Sequence, residues 1–416
     1  MTNTRKPTVL TDLPLELLLM ISDHLSVVDI ACLALCNHHL MASLIEMKSA
    51  FDRFSSSRAV DLNDAVRIEF MSRLALDMPP YYPCFGCLRL HPWRNISLPR
   101  PYFNLPGCFK TLYDSGSYIN RTRAMELDNY PSYTTCEIHF VHLQLAMRRF
   151  YYGPQFGIPA ESFSSTEVAV HPLETGTMYP MSILPASAGP LLNKDIDNNA
   201  MITLTSIEAR ICPDPPGLCV RTQELAVMRR HKVLRVPPRH SVYMRICGHI
   251  STSRSNFWEI FDPLLEQYCS DSTTMHVGDQ GRCAKCNTSW KLELRDVGSR
   301  DVCLVLTKWM DLGPGLSPED ARWKSHISTV SRILLADDEL VSDPQARFER
   351  DSAQANEANA LSDEEMFNRN ISLLQRHEYL NSMIRVGNYS RWFLNAELAQ
   401  ERGQTKRRGI SRCVVI

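Results

Sequence analysis

The chain carries almost no net charge. Its 45 lysines and arginines stand against 46 aspartates and glutamates, a formal net charge of -1. A nucleic-acid partner would call for a basic excess, so composition argues against one. Long apolar runs are also missing. None approaches the ~20 residues of a membrane-spanning helix. The stretch MTNTRKPTVLTDLPLE contains no uninterrupted apolar core of the signal-peptide kind. The expectation is therefore a cytoplasmic or nuclear protein. In that reducing setting the 14 cysteines are expected to serve as thiols or metal ligands, not as a disulfide framework. Enzyme signatures are scarce as well. The sequence has no Gly-x-Ser-x-Gly elbow, no phosphate-cradling glycine loop and no His-Glu-x-x-His. Cys136 with His139 could be drawn as a nucleophile and its base, but on one helix face that spacing suits a ligand pair or packing. No internal repeat offers a known recognition surface. A non-catalytic protein is expected.

The densest feature is LTDLPLELLLMISDHLSVVDIACLALCNHHL, Leu10 to Leu40. Pro14 suits a first helical position, and Asp12 can accept from the free amides of that turn. Leu15, Leu17, Leu18, Leu19, Ile21 and Leu25 fill an arc of about 200° at helical spacing. Ser26 and Asp29 have the spacing of a capping box for a second helix. Asn37 can cap a third, from His38 to roughly Phe51. Three short helices cannot bury so much apolar surface alone, since chains near ~40 residues are marginal as independent domains. Either the rest of the chain or a partner covers what remains.

Beyond this, 416 residues suggest two to three domains. The pattern predicts an α+β protein. A three-helix module spans 8–52, and a helical, Cys-containing region spans 53–155, with helices over Asp52 to Met78 and Glu137 to Tyr151. An irregular connection spans 156–199. A small antiparallel β unit occupies a β-rich, zinc-ribbon-like region over 200–335. A polar, acidic stretch over 345–366, a solvated linker or a frayed helix, and a helical tail from Phe367 to Glu401 lie within 336–416. Strands are expected over Ala200 to Ile211 and Arg239 to Ile250. A hairpin is expected where Lys291-Leu292-Glu293-Leu294-Arg295 alternates strictly, Gly298 turns, and Val302 to Trp309 returns.

Two cysteine clusters stand out. Cys247-x-His249 and Cys283-x-x-Cys286 have the spacing of a structural zinc site, with Gly281 and Asn287 as flanking turn residues and Cys269 as an alternative to His249. Four protein donors close such a site, so metal catalysis is not expected there. The second cluster is Cys84-x-x-Cys87. Cys136-x-x-His139 could complete a zinc site with it, and His91 and Cys108 compete for that role.

The spaced positions Leu10, Leu13-Pro14, Glu16, Ile21, Leu25, Asp29-Ile30, Leu33 and Leu35-Cys36 resemble an F-box. The resemblance implies docking on the Skp-type adaptor of a cullin-based, SCF-type ubiquitin ligase through Leu13, Pro14, Leu17, Ile21, Leu25, Ile30 and Leu33. The chain would then act as the subunit that recruits a protein substrate. Later segments are similar to a group of fungal F-box proteins. These are Cys84-x-x-Cys87-x-x-x-His91-Pro92, Leu145 to Pro159, Cys247-Gly248-His249, Cys283-x-x-Cys286-x-Thr288, and Trp309 to Trp323 with Leu312-Gly313. Such proteins often carry a second Cys-x-x-Cys after the His-Pro element, where this chain offers Cys108 and the Cys136/His139 pair. A different reading is a zinc-stabilised scaffold whose N-terminal helices serve only as internal core.

The last four residues, Cys413-Val414-Val415-Ile416, have the Cys-aliphatic-aliphatic-X form of a prenylation signal. Lys406, Arg407, Arg408 and Arg412 precede them. Lipid on Cys413 plus that basic patch would supply the two signals of stable membrane attachment.

Overall fold

The computed structural model describes residues 13–45, 60–96, 125–126, 137–172, 200–230, 244–251, 255–270, 276–298, 301–327, 343–354, 361–375, 383–386 and 389–393. The class is α+β, as expected. Three short helices open the chain: α1 (Leu15–Ser22), α2 (Val27–Cys36) and α3 (His38–Ile45). Pro14 stands one position earlier than expected, as the N-cap of α1. Its carbonyl accepts from Leu17 and Leu18 at 3.1 and 3.2 Å. Asp12 lies outside the described residues. The capping box on α2 forms as the spacing predicts: Asp29 N–H donates to Ser26 Oγ at 3.1 Å and Ser26 N–H to Asp29 Oδ2 at 3.1 Å. Asn37 Oδ1 accepts from His39 N–H at 2.8 Å and starts α3. Leu18, Ile30, Ala34, Leu40 and Leu44 close a small core between the three.

Helix α4 (Val60–Asp77) packs on α2, and Arg73 pairs with Asp29. Hydrogen bonds from Ser26 and then Arg73 hold the Asp29 carboxyl below its ordinary range. The hairpin β1 (Tyr81–Cys84) and β2 (Arg89–Pro92) follows α4 and packs against it. Two short strands, β3 (Met125–Glu126) and β4 (Glu137–Ile138), pair before α5 (Phe140–Tyr152). The helix expected from Glu137 thus starts three residues later. Behind it, the Gly157 backbone runs against α5, where an added Cβ would lie 1.9 Å from the Leu145 carbonyl oxygen.

The rest of the fold is one eight-stranded sheet of order β11-β12-β5-β6-β7-β10-β9-β8, antiparallel throughout. Its strands are β5 (Ser165–Pro172), β6 (Ala200–Pro213), β7 (Pro216–Arg229), β8 (His276–Arg282), β9 (Thr288–Val297), β10 (Asp301–Asp311), β11 (Met383–Val386) and β12 (Tyr389–Phe393). The sheet is larger than the small β unit expected. Ser165–Pro172, assigned to an irregular connection, is a strand because its alternation finds β6 as a partner. Met383–Val386 and Tyr389–Phe393, assigned to a helical tail, form a hairpin on the sheet edge. The hairpin around Gly298 forms in the register Leu292↔Leu306 and Leu294↔Leu304. Gly298 takes φ +70°, the left-handed conformation that glycine allows.

Four further helices cover the sheet: α6 (Ser255–Ser270), α7 (Ala321–Ile327), α8 (Pro344–Gln354) and α9 (Asp363–Gln375). On the first face α5 and Trp323 of α7 cover Ile207, Ala209, Leu218 and Val220. Further along that face Phe257, Phe261, Leu264 and Tyr268 of α6 cover Trp290, Leu292, Leu294, Leu304 and Leu306. Between the two apolar clusters lies the buried pair Lys308–Glu224, at 2.6 Å.

The second face is buried too, and sets polar and charged groups among apolar ones such as Trp309, which packs against Phe348 of α8. Arg221 meets Glu208 at 2.6 Å and Asp363 at 3.4 Å. Asn370 of α9 donates to Gln223 at 3.0 Å. Asp311 accepts from Arg347 and, at 3.2 Å, from Arg322. Of the two readings of the acidic stretch, solvated linker or frayed helix, the helical one holds: it contains helix α8 and the start of α9, both seated on charged strand residues. Ser362 and Glu365 start α9 with a capping box: Glu365 N–H donates to Ser362 Oγ at 3.2 Å and Ser362 N–H to Glu365 Oε2 at 2.7 Å. Among the described residues, no helix is long and apolar enough to cross a membrane.

Asp311 and Arg347 are both essentially inaccessible, at 0% and 1% exposure. Removing one partner of such a pair leaves a buried charge and typically costs ~3–5 kcal/mol. Arg322 remains beside Asp311, so Arg347→Ala is expected near the lower end of that range. The denaturant midpoint of the purified chain measures it.

Candidate metal centre and exposed helical face

Two turns bring the main cluster together. The first lies between Met244 and Ser251, closed by a single bridge between Arg245 and Ser251. The Ile250 carbonyl accepts from Ile246 and Cys247 N–H at 3.0 and 3.2 Å. That tight turn aims Cys247 and His249 the same way, whereas a strand end had been expected there. Asn256 at the start of α6 fixes the His249 carbonyl at 2.8 Å. The second turn joins β8 to β9. Cys283 N–H donates to Thr288 O at 2.9 Å, and Thr288 N–H to Cys286 O at 2.8 Å.

The ligand atoms of Cys247, His249, Cys283 and Cys286 all lie within 4.8 Å of one another, and all four residues are buried. His249 turns Nδ1 toward the sulfurs, 3.8 Å from Cys247 Sγ and 3.6 Å from Cys283 Sγ. Backbone amides also point at sulfur: His249 N–H at Cys247 Sγ and Lys285 N–H at Cys283 Sγ, each at 3.4 Å. Such amides favour thiolate. Hydrogen bonding from Cys247 and then Cys286 pulls the Cys283 thiol far below the ordinary thiol range. The same bond with Cys283 pushes Cys247 up to about 12, and bonds to Cys247 and Cys283 raise Cys286. A bound cation would draw all three into thiolate form and release protons. The group can hold a metal ion.

Two expectations about this cluster change. Cys269 is no alternative ligand. It sits exposed in the last turn of α6, because Tyr268 takes the inward position there. Gly281 is not a turn residue. It lies in β8 opposite Trp290, where a Cβ would stand 2.7 Å from the indole. Asn287 does belong to the turn, and its carbonyl accepts from Asp311 N–H at 3.1 Å.

At the other cluster, Cys84 and Cys87 are joined by His91, one of the two competing donors. His139 is not part of that group. It caps α5, with its N–H on His142 Nδ1 at 3.1 Å and its ring edge-on to His142. Cys136 and Cys108 lie outside the described residues, as does Cys413. The signal for His91 was its spacing: in a hairpin that turns at Cys84–Arg89, His91 pairs with Tyr82 and returns beside the cysteines.

The N-terminal residues assigned to partner docking divide. Pro14, Leu17 and Ile21 are exposed, and Leu13, Leu25 and Leu33 are half-buried. Ile30 turns inward, at 5% exposure, onto Leu18 and Leu44, so it belongs to the module's own core. Leu15, Met20 and Leu35, outside the set that the F-box resemblance implies, are exposed as well. Leu15 was legible as a member of the apolar arc.

The double variant Cys283→Ser, Cys286→Ser should lower the bound metal of the full chain by one equivalent, while Cys269→Ser leaves it unchanged. Elemental analysis after gel filtration measures this. Protons compete for the sulfurs, so affinity should fall as pH is lowered. No protein-family model, no curated protein and no solved structure matches the chain.

Proposed function

We propose that this chain is a non-catalytic, zinc-stapled adaptor of an SCF-type ubiquitin ligase. The N-terminal helices would dock on a Skp-type adaptor, and the sheet-bearing body would present a protein substrate. One observation carries the reading. Leu15, Leu17, Met20 and Ile21 of α1 and Leu35 of α2 are exposed large apolar side chains on a module whose other side has its own core. Apolar surface of that kind marks an interface. The F-box resemblance names the partner, with Leu13, Pro14, Leu17, Ile21, Leu25 and Leu33 in the contact and Ile30 beneath it.

Zinc follows from the donor chemistry. Three thiolates and one imidazole suit a tetrahedral, thiophilic ion and not a magnesium- or calcium-type ion, which prefers oxygen. Four protein donors leave no position for substrate, so the role is structural: the ion would tie the turn before α6 to the β8–β9 turn. Lipid attachment at Cys413 would add a membrane-bound population, which Cys413→Ser would remove from the pelleted membrane fraction.

The double variant Leu17→Asp, Ile21→Asp tests the docking. Both side chains are exposed, so the melting temperature of the free chain should hold. Burying each apolar side chain contributes ~1.5–3 kcal/mol. Affinity for the purified Skp-type adaptor should therefore fall by about a hundredfold or more, measured by calorimetry. Unchanged binding by the double variant would rule this face out.

A further inference from the structure

We propose that Cys84, Cys87 and His91 hold a second thiophilic divalent metal ion, at the join between the N-terminal helices and the sheet-bearing body. The assignment rests on the hairpin's own geometry and is independent of the ligase reading. β1 and β2 pair in the register Tyr82↔His91 and Cys84↔Arg89. The turn closes with Leu88 N–H on Cys84 O at 2.8 Å. Leu88 takes φ +53°, a left-handed conformation that residues other than glycine rarely adopt. The result is that two thiols and an imidazole converge. Their ligand atoms lie within 4.8 Å of one another, with Cys87 Sγ 3.0 Å from His91 Nε2. Cys84 and His91 are buried, and Cys87 is half-buried.

The place of this group in the fold gives the ion a role. Leu90 of β2 packs with Met71 and Ala75 of α4, the helix that carries α2. On the other side Phe85 meets Phe140 of α5 edge-on, at 5.4 Å between ring centres. Arg148 of α5 donates to Ala75 O at 3.1 Å and to Tyr81 O at 3.3 Å. The hairpin is thus a strap between α4 and α5, and an ion across its turn would fix the strap's shape. Two sulfurs and an imidazole favour zinc, with cobalt(II) as a spectroscopic stand-in. The two sites share no residue, and partly exposed Cys87 makes the hairpin ion the faster to leave.

Native mass spectrometry and elemental analysis of the purified full chain test this. Two metal ions per chain are expected. His91→Ala and Cys87→Ser should each leave one, and the double variant Cys283→Ser, Cys286→Ser should also leave one. His91→Cys keeps a donor and should restore two. In the cobalt(II)-loaded double variant Cys283→Ser, Cys286→Ser, a thiolate-to-cobalt charge-transfer band should remain, and adding Cys87→Ser should abolish it. Should His91→Ala fail to fold, chelator treatment of the intact chain decides: metal should leave in two phases of one equivalent each. One ion per chain released in a single phase would overturn the assignment, as would a wild-type metal count in folded His91→Ala and Cys87→Ser.

Discussion

Burial of both faces of the β7–β10 strand pair is the constraint on which the rest of the body depends. The pair runs in unbroken register from Asp301↔Arg229 to Asp311↔Cys219. One face supplies leucine and valine side chains, and α5, α6 and α7 cover it. The other presents Arg221, Gln223, Thr307 and Asp311. A buried charge without a partner costs several kcal/mol, so that face cannot simply be roofed with apolar residues. It draws in helices with their own charges: α8 brings Arg347 to Asp311, and α9 brings Asp363 to Arg221. The pairing of charge with charge explains why segments so polar in sequence are ordered onto the sheet.

The Cys247 cluster sits at one end of the same strand pair. Its β8–β9 turn is tied to β10 by the bond from Asp311 N–H to Asn287 O. A metal there would link the turn before α6 to that strand end. It would hold the α6 side of the apolar layer against the charged layer, next to the Lys308–Glu224 pair. Lys308 itself donates to Arg245 O at 2.9 Å, within the same ligand-bearing turn.

The N-terminal module follows opposite physics. It has a small core and leaves Leu15, Leu17, Met20 and Ile21 in solvent, whereas the body buries even its ions. Among the described residues, α2 and α4, with the Arg73–Asp29 pair, carry the connection onward to the β1–β2 hairpin. A well-covered body thus stands beside a helical face that leaves large apolar side chains exposed.

Local chemistry was legible in the sequence. Ser26 and Asp29 form their capping box, Asn37 starts α3, and the alternation around Lys291–Arg295 forms its hairpin, because each depends on residues a few positions apart. The four donors of the main cluster were legible too, since Cys-x-His and Cys-x-x-Cys each place two ligands within one turn. Tertiary structure alone decided the rest. Gly281 reads as a turn residue until Trp290 is seen across the strand. His139 reads as a ligand until α5 begins beside it, and Ile30 reads as a docking residue until Leu44 folds back over it. Residues 345–366 read as solvated because polarity in sequence does not distinguish water from a charged sheet face. These outcomes depend on contacts between segments far apart in the chain, and one-dimensional spacing carries no record of which distant residue will arrive to complete a site or cover a charge.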